Sequence, residues 1–193
     1  MKTELAACIR HYNQKGWSPA TSTNYSFKDE QAQLWVSRSG IDKSQFNPED
    51  FIPIYANGQV LAPFEAIKAS DETGIHTWIY SQFPEATVVL HSHSKFPVML
   101  SNCYEDYVSF EGYELLKGFK GVRSHDVEVR IPIVANSQEM PVLCQELAQR
   151  FDELQFHCFI IAGHGTYAWG TSLFEAKRHL ETLDYLCECE FLM

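Results

Sequence analysis

No segment of the chain approaches the roughly 20 consecutive apolar residues that a bilayer-spanning helix requires, so a membrane partner is not expected. A basic face is missing too. The 15 Lys and Arg stand against 25 Asp and Glu, a net charge of −10, and nonspecific contact with nucleic acid or anionic lipid rewards the opposite sign. Nucleic acid is therefore not an expected partner. A phosphorylated small molecule is compatible with the same charge, because a few N–H donors and one or two cations hold a phosphate. Linkers rich in proline or serine are absent, as are low-complexity runs and repeats of solenoid period. One domain over residues 1–193 is the resulting expectation. The first ten residues contain Glu4 and no long apolar stretch, which is not the pattern of a secretory signal. Cys8, Cys103, Cys144, Cys158, Cys187 and Cys189 are then expected as reduced thiols in a cytoplasmic protein.

What is present is an ordinary globular composition, 45% apolar and 21% charged. Residues 3–15 carry apolar side chains at helical spacing and stop at Gly16. A loop of turn formers and hydroxyls follows over 17–24. Short strands are expected at 25–27 and 33–37, and a hairpin of 51–55 with 59–61 about Asn57-Gly58. A helix is expected over 71–83, with Ile75, Trp78, Ile79 and Gln82 on one face. Strands over 86–93, 127–134, 157–161 and 166–169 alternate with helices over 112–119, 137–154 and 172–191. The mixture predicts an α/β fold with a mixed, mainly antiparallel sheet covered by helices on both faces.

The chemistry concentrates in histidine. Val88-Val-Leu-His91-Ser-His93 places two imidazoles two positions apart on a strand, hence on one face. A second apolar strand runs into Gly163-His164-Gly165, where glycine permits tight backbone geometry and close approach. If the two strand ends meet, three imidazoles can hold one divalent ion and leave a position for water or substrate, as catalytic rather than structural sites do. Each motif alone is weak. A His-x-His pair is more often structural than metal-binding, and a Gly-His-Gly can be a plain turn. His11, His125, His157 and His179 are isolated, His76 reads as a helix-packing residue, and Cys187-x-Cys189 lies in a helical pattern whose two thiols diverge.

At these residues the chain resembles the class II aldolase and adducin-like superfamily. The carrying segments are Gly16-Trp-Ser-Pro-Ala-Thr-Ser-Thr-Asn-Tyr-Ser26, Ser37-Arg-Ser-Gly-Ile-Asp-Lys43, Ser70-Asp-Glu-Thr73, Leu90-His-Ser-His-Ser94, Gly112-Tyr-Glu-Leu-Leu-Lys-Gly118 and Gly163-His-Gly-Thr-Tyr-Ala-Trp-Gly170. They span nearly the whole chain in family order, and the first, fifth and sixth favour a dehydratase branch. The resemblance implies a three-layer α/β/α fold and one Zn2+ per subunit on His91, His93 and His164. It also implies a homo-oligomer, commonly a tetramer, with sites near subunit interfaces. The implied reaction removes water from a small phosphorylated ketose. Aldolase or epimerase chemistry is the alternative, and a noncatalytic adducin-like binding module is the second. Two glutamates match catalytic positions of the family: Glu114, the preferred acid/base, and Glu72. The substrate phosphate is expected among Ser22, Thr23, Asn24, Ser39, Gly40 and Ser70, with Lys43 or Arg38 adding charge. Relatives usually carry Gly-Asn where this chain has Thr23-Asn24. A lone serine there is more often a cap, and a glutamate in a first helical turn often only complements the dipole.

Overall fold

The computed structural model describes residues 1–193. The elements in chain order are α1 (Lys2–Gln14), β1 (Tyr25–Lys28), β2 (Leu34–Ser37), β3 (Phe51–Ile54), α2 (Thr73–Gln82), β4 (Val88–Ser92), α3 (Lys95–Leu100), β5 (Tyr107–Phe110), β6 (Val129–Val134), α4 (Met140–Gln149), β7 (Cys158–Ile161), β8 (Gly165–Gly170) and α5 (Leu173–Leu192). The eight strands form one sheet in the order β3-β2-β1-β4-β8-β7-β6-β5. Every pairing is antiparallel except β6 with β7. The chain is thus an α/β protein with a mixed, mainly antiparallel sheet.

Strand alternation divides the core in two. Val88 and Leu90 of β4, Cys158 and Ile160 of β7 and Ala168 of β8 pack with α1 and α5. Their neighbours Val89, Phe159, Ile161, Tyr167 and Trp169 face the opposite way, toward α2 and α4. Because both faces are covered, β4 and β7 read as continuous apolar runs, and each fully buried large side chain contributes about 1.5–3 kcal/mol. His91 has the parity of Val89, so its ring lies in the α2 layer, directly across from Tyr167 in the register of β4 with β8.

Several elements differ from their expected form. The turn at Asn57-Gly58 closes through Tyr55 N–H to the Gln59 carbonyl at 2.8 Å, yet the returning segment makes only one bridge, Ile54 with Val60. Pro53 has no N–H to offer it, so the hairpin stays short. The helix expected over 137–154 is α4 alone, followed by a 3-10 turn, Phe151–Phe156. Pro141 sits in the first turn, and Arg150 leaves helical geometry while its guanidinium donates to the carbonyls of Ile133 and Asp106 at 2.5 and 2.8 Å. Gln82 points to solvent rather than sharing the buried face of Ile75 and Ile79. The expected helix over 112–119 is a 3-10 turn, Glu114–Gly118. The strand β5 and the helix α3 had no expectation.

Candidate active site

The imidazoles of His91, His93 and His164 converge, with one ring nitrogen from each lying within 4.8 Å of the others. His91 is the fourth residue of β4. His93 lies just past its end, held by its N–H to the Trp17 carbonyl at 2.9 Å. His164 sits on the turn between β7 and β8. Gly163 adopts φ +64 there, and a Cβ on Gly165 would collide with the Ser92 carbonyl and press on both neighbouring histidine rings. The turn therefore needs its glycines to bring the third ring in.

The donor set suits a borderline divalent cation. His91 Nδ1–H donates to the Thr166 carbonyl at 2.9 Å, which fixes the ring and leaves the Nε2 lone pair facing His93 Nε2 at 2.8 Å. Burial holds the His91 imidazole far below its usual range, against the pull of Glu72. Burial and the neighbouring His164 push His93 down to about 4. Neutral rings with free lone pairs are what a metal site requires.

Beside them stands Glu72, at the N-terminus of α2. Its Oε1 lies 3.0 Å from His164 Nε2, and its Oε2 lies 3.3 Å from His91 Nε2. Tyr167 donates its hydroxyl to Oε2 at 2.7 Å, and the Asn24 amide donates to the same oxygen at 2.6 Å. Burial alone would raise the carboxyl. His164, His91, Tyr167 and Asn24 together outweigh it and hold Glu72 well below the ordinary carboxylate range. Tyr167 also stacks on His91, with centroids 4.2 Å apart.

A cavity of about 240 Å³ opens from this cluster. Ser22, Thr23, Asn24, Ser39, Gly40 and Ser70 line one side with Arg38. Ile75, Met140, Leu143 and Ile161 form an apolar wall, and Ser137 and Gln138 complete the rim. Ser70 Oγ accepts from the Asn24 amide and from Glu72 N–H, so its own O–H remains free to donate. The Thr23 side chain turns inward instead, to Ser18 and Tyr25 at 3.0 and 3.1 Å, while its backbone takes φ 70. A β-branched residue is costly in that conformation and glycine is not. Arg38 reaches the cavity while paired with Asp50 at 2.7 Å.

Two sequence-selected residues lie elsewhere. Lys43 is buried beneath the loop, where its ammonium donates to the carbonyls of Ile41 and Thr21, and burial pushes it down to about 8 against Asp50 and Asp42. It braces the loop and does not line the cavity. Glu114 is 74% exposed, paired with Lys117 at 2.6 Å and close to His125 at 3.6 Å, and Lys117 lowers its carboxyl. It touches neither the cavity nor the three converging imidazoles of its own chain. Sequence reasoning gave no role to Tyr167, Ser137 or Gln138. Tyr167 was reachable in principle: once a strand returns from His164, alternation puts Tyr167 on the histidine face.

The class II aldolase and adducin N-terminal domain profile matches residues 3–191, and the chain belongs to that family. Among curated proteins, a methylthioribulose-1-phosphate dehydratase of Picosynechococcus sp. is 51% identical over 98% of this chain and 90% of its own length. One from Xanthomonas oryzae pv. oryzae is 39% identical over 96% and 83%. Among solved structures, YgbL of Escherichia coli, a putative aldolase/epimerase/decarboxylase, superposes with a TM-score of 0.82 at 21% identity, covering 98% of this chain and 87% of that one. The L-fuculose-1-phosphate aldolase of Thermus thermophilus gives 0.74 at 21% identity, covering 99% and 95%. At such identities these structures speak to the fold.

Proposed function

We propose that the protein is a zinc-dependent hydro-lyase that converts 5-methylthioribulose-1-phosphate to 2,3-diketo-5-methylthiopentyl-1-phosphate, a step of methionine salvage, in the cytoplasm. The substrate rests on the 51% identity to a protein of that activity across nearly the full length of both. The chemistry rests on one observation: a carboxylate and three converging imidazoles share the mouth of a hydroxyl-lined cavity. His91, His93 and His164 would hold one zinc ion, which as a Lewis acid would stabilise negative charge developing on the ketone side of the substrate.

The chain's own groups do the rest. Ser22, Ser39 and Ser70, the backbone about Thr23 and Gly40, and Arg38 hold the phosphate, through O–H and N–H donors near turns. The apolar wall of Ile75, Met140 and Leu143 suits the methylthio end. Glu72 takes the proton from the carbon beside the ketone. Its Oε1, which contacts only His164, is the oxygen left to receive it, since Oε2 is held by Tyr167 and Asn24. The C–H electron pair becomes a double bond to the next carbon as that carbon's hydroxyl departs. A general acid gives the hydroxyl a proton, water leaves, and the enol tautomerises to the diketone.

For that acid we propose Glu114 of a neighbouring subunit in a homotetramer. Its exposure in a single chain is what an interface contribution requires, and burial there would raise its carboxyl toward the range of a general acid. Glu72→Gln and Glu114→Gln homo-oligomers should each be inactive. Refolding them together should restore about a quarter of wild-type turnover, the statistical share of sites retaining both carboxylates. No recovery on mixing, with Glu114→Gln fully active alone, would leave Glu72 as the only catalytic carboxylate. Retro-aldol cleavage of fuculose-1-phosphate without dehydration of methylthioribulose-1-phosphate would replace the reaction itself.

A further inference from the structure

His76 is wholly buried in α2, one turn after Glu72, and touches neither the cavity nor the three converging histidines. Its ring nevertheless connects to the carboxylate through a continuous chain. His76 Nε2 meets Asn24 Oδ1, and Asn24 Nδ2 lies 2.6 Å from Glu72 Oε2. On the other side Ser26 Oγ lies 2.7 Å from His76 Nδ1, and the Tyr80 hydroxyl lies 2.9 Å from Ser26 Oγ.

The chain admits one self-consistent direction. An ionised carboxylate only accepts, so Asn24 presents its NH2 to Glu72; the same NH2 reaches Ser70 Oγ at 3.1 Å. The Asn24 carbonyl oxygen therefore faces His76, whose Nε2 must carry the ring proton. Nδ1 is then an acceptor, Ser26 donates to it, and Tyr80 donates to Ser26. Each link polarises the next toward Glu72. A turned Asn24 amide would oppose oxygen to oxygen at the carboxylate.

We infer that His76 is a positioning residue for Glu72: with Ser26 and Tyr80 it locks the Asn24 amide, which in turn holds Glu72 Oε2 and leaves Oε1 to react. This rests on the reading of Glu72 as the base. The burial of His76 is consistent with such a role, since a ring sealed from water keeps one tautomer set by its two partners.

The test has two independent readouts. Nitrogen-15 spectra of the histidine rings in the wild-type protein should show His76 protonated at Nε2 only; an Nδ1–H tautomer would overturn the inference regardless of activity. In steady-state kinetics on the metal-loaded enzyme, His76→Leu should lower kcat by about tenfold or more while KM and metal content change less than about twofold. His76→Gln, which keeps a donor and an acceptor, should recover part of the loss. In an Asn24→Ala background His76→Leu should add less than about a twofold effect, because both act through one path. Losses that multiply in the double variant would overturn the inference. Full turnover in His76→Leu with Glu72→Gln inactive would also overturn it, while sparing the base assignment. Full turnover in Glu72→Gln would remove the base assignment itself.

Discussion

Glu72 and Glu114 open with the same sequence credentials: each is the acidic residue at the entrance of a short helical segment, and each sits in a family-like motif. Their surroundings differ in burial and in the number of partners. Glu72 is 18% exposed and receives Tyr167, Asn24 and two imidazoles, while Glu114 is 74% exposed and meets a surface lysine. The difference teaches that a carboxylate's chemistry is set by what the sheet brings to it, not by its own segment. Glu72 is reached by Asn24 just before β1, His91 of β4 and Tyr167 of β8, from three distant parts of the chain. Glu114 lies next to the edge strand β5, where one subunit has nothing more to supply.

The largest expected effect lies on the Glu72 side. His93→Ala should bring bound metal below about a tenth of an equivalent and abolish turnover, because two imidazoles hold zinc poorly; metal analysis and an activity assay read both. Retained metal with lost turnover would show that the cation sits elsewhere. Next, Glu72→Gln and Glu114→Gln should each keep metal and lower kcat by about 10²–10⁴, the range of general acid–base groups. Glu72→Gln, which removes the direct partner of the Tyr167 hydroxyl, should shift the Tyr167 ring resonances more than Glu114→Gln does. A larger shift in Glu114→Gln would show that Tyr167 is held chiefly through Glu114 in the assembly.

Stability separates the regions more gently. Burial pushes His76 and His157 from 6.5 to about 4 in the folded protein. Between those values the unfolded chain binds protons that the folded chain does not, so stability falls as pH drops from 6.5 toward 4. The Tm of wild type should decrease across this window. His157→Phe, beside Trp169 at the end of β7 away from His164, should flatten the decrease, and calorimetry at several pH values checks this. The smallest effect is expected at Thr23→Gly. Relief of the φ 70 backbone and loss of the hydroxyl's contacts to Ser18 and Tyr25 oppose each other at about 1 kcal/mol apiece, so urea unfolding should shift by less than about 1 kcal/mol. A larger loss would show that the threonine hydroxyl carries the loop.

Much of the architecture was legible because strong local patterns agree with the fold. Apolar runs marked β4 and β7, and helical spacing marked α1 and α5. The elements missed or misdrawn were those fixed by distant partners. Arg150 ends α4 by reaching carbonyls of β6 and of Asp106, β5 exists only against β6, and Lys43 is buried where the segments at Thr21 and Ile41 meet over it. His76 read as packing because its partners, Asn24 and Ser26, lie some 50 residues away along the chain.

The sequence alone determined the α/β class and placed His91 and His93 together, since period-two alternation is a local property of a strand. It also supplied the glycines that let His164 approach. Only the tertiary structure decided that His164 meets the pair, that Glu72 rather than Glu114 stands beside them within one chain, and that Tyr167 and Asn24 hold it. Those contacts join segments whose proximity depends on strand order and register, which burial across the whole sheet fixes and no single segment encodes.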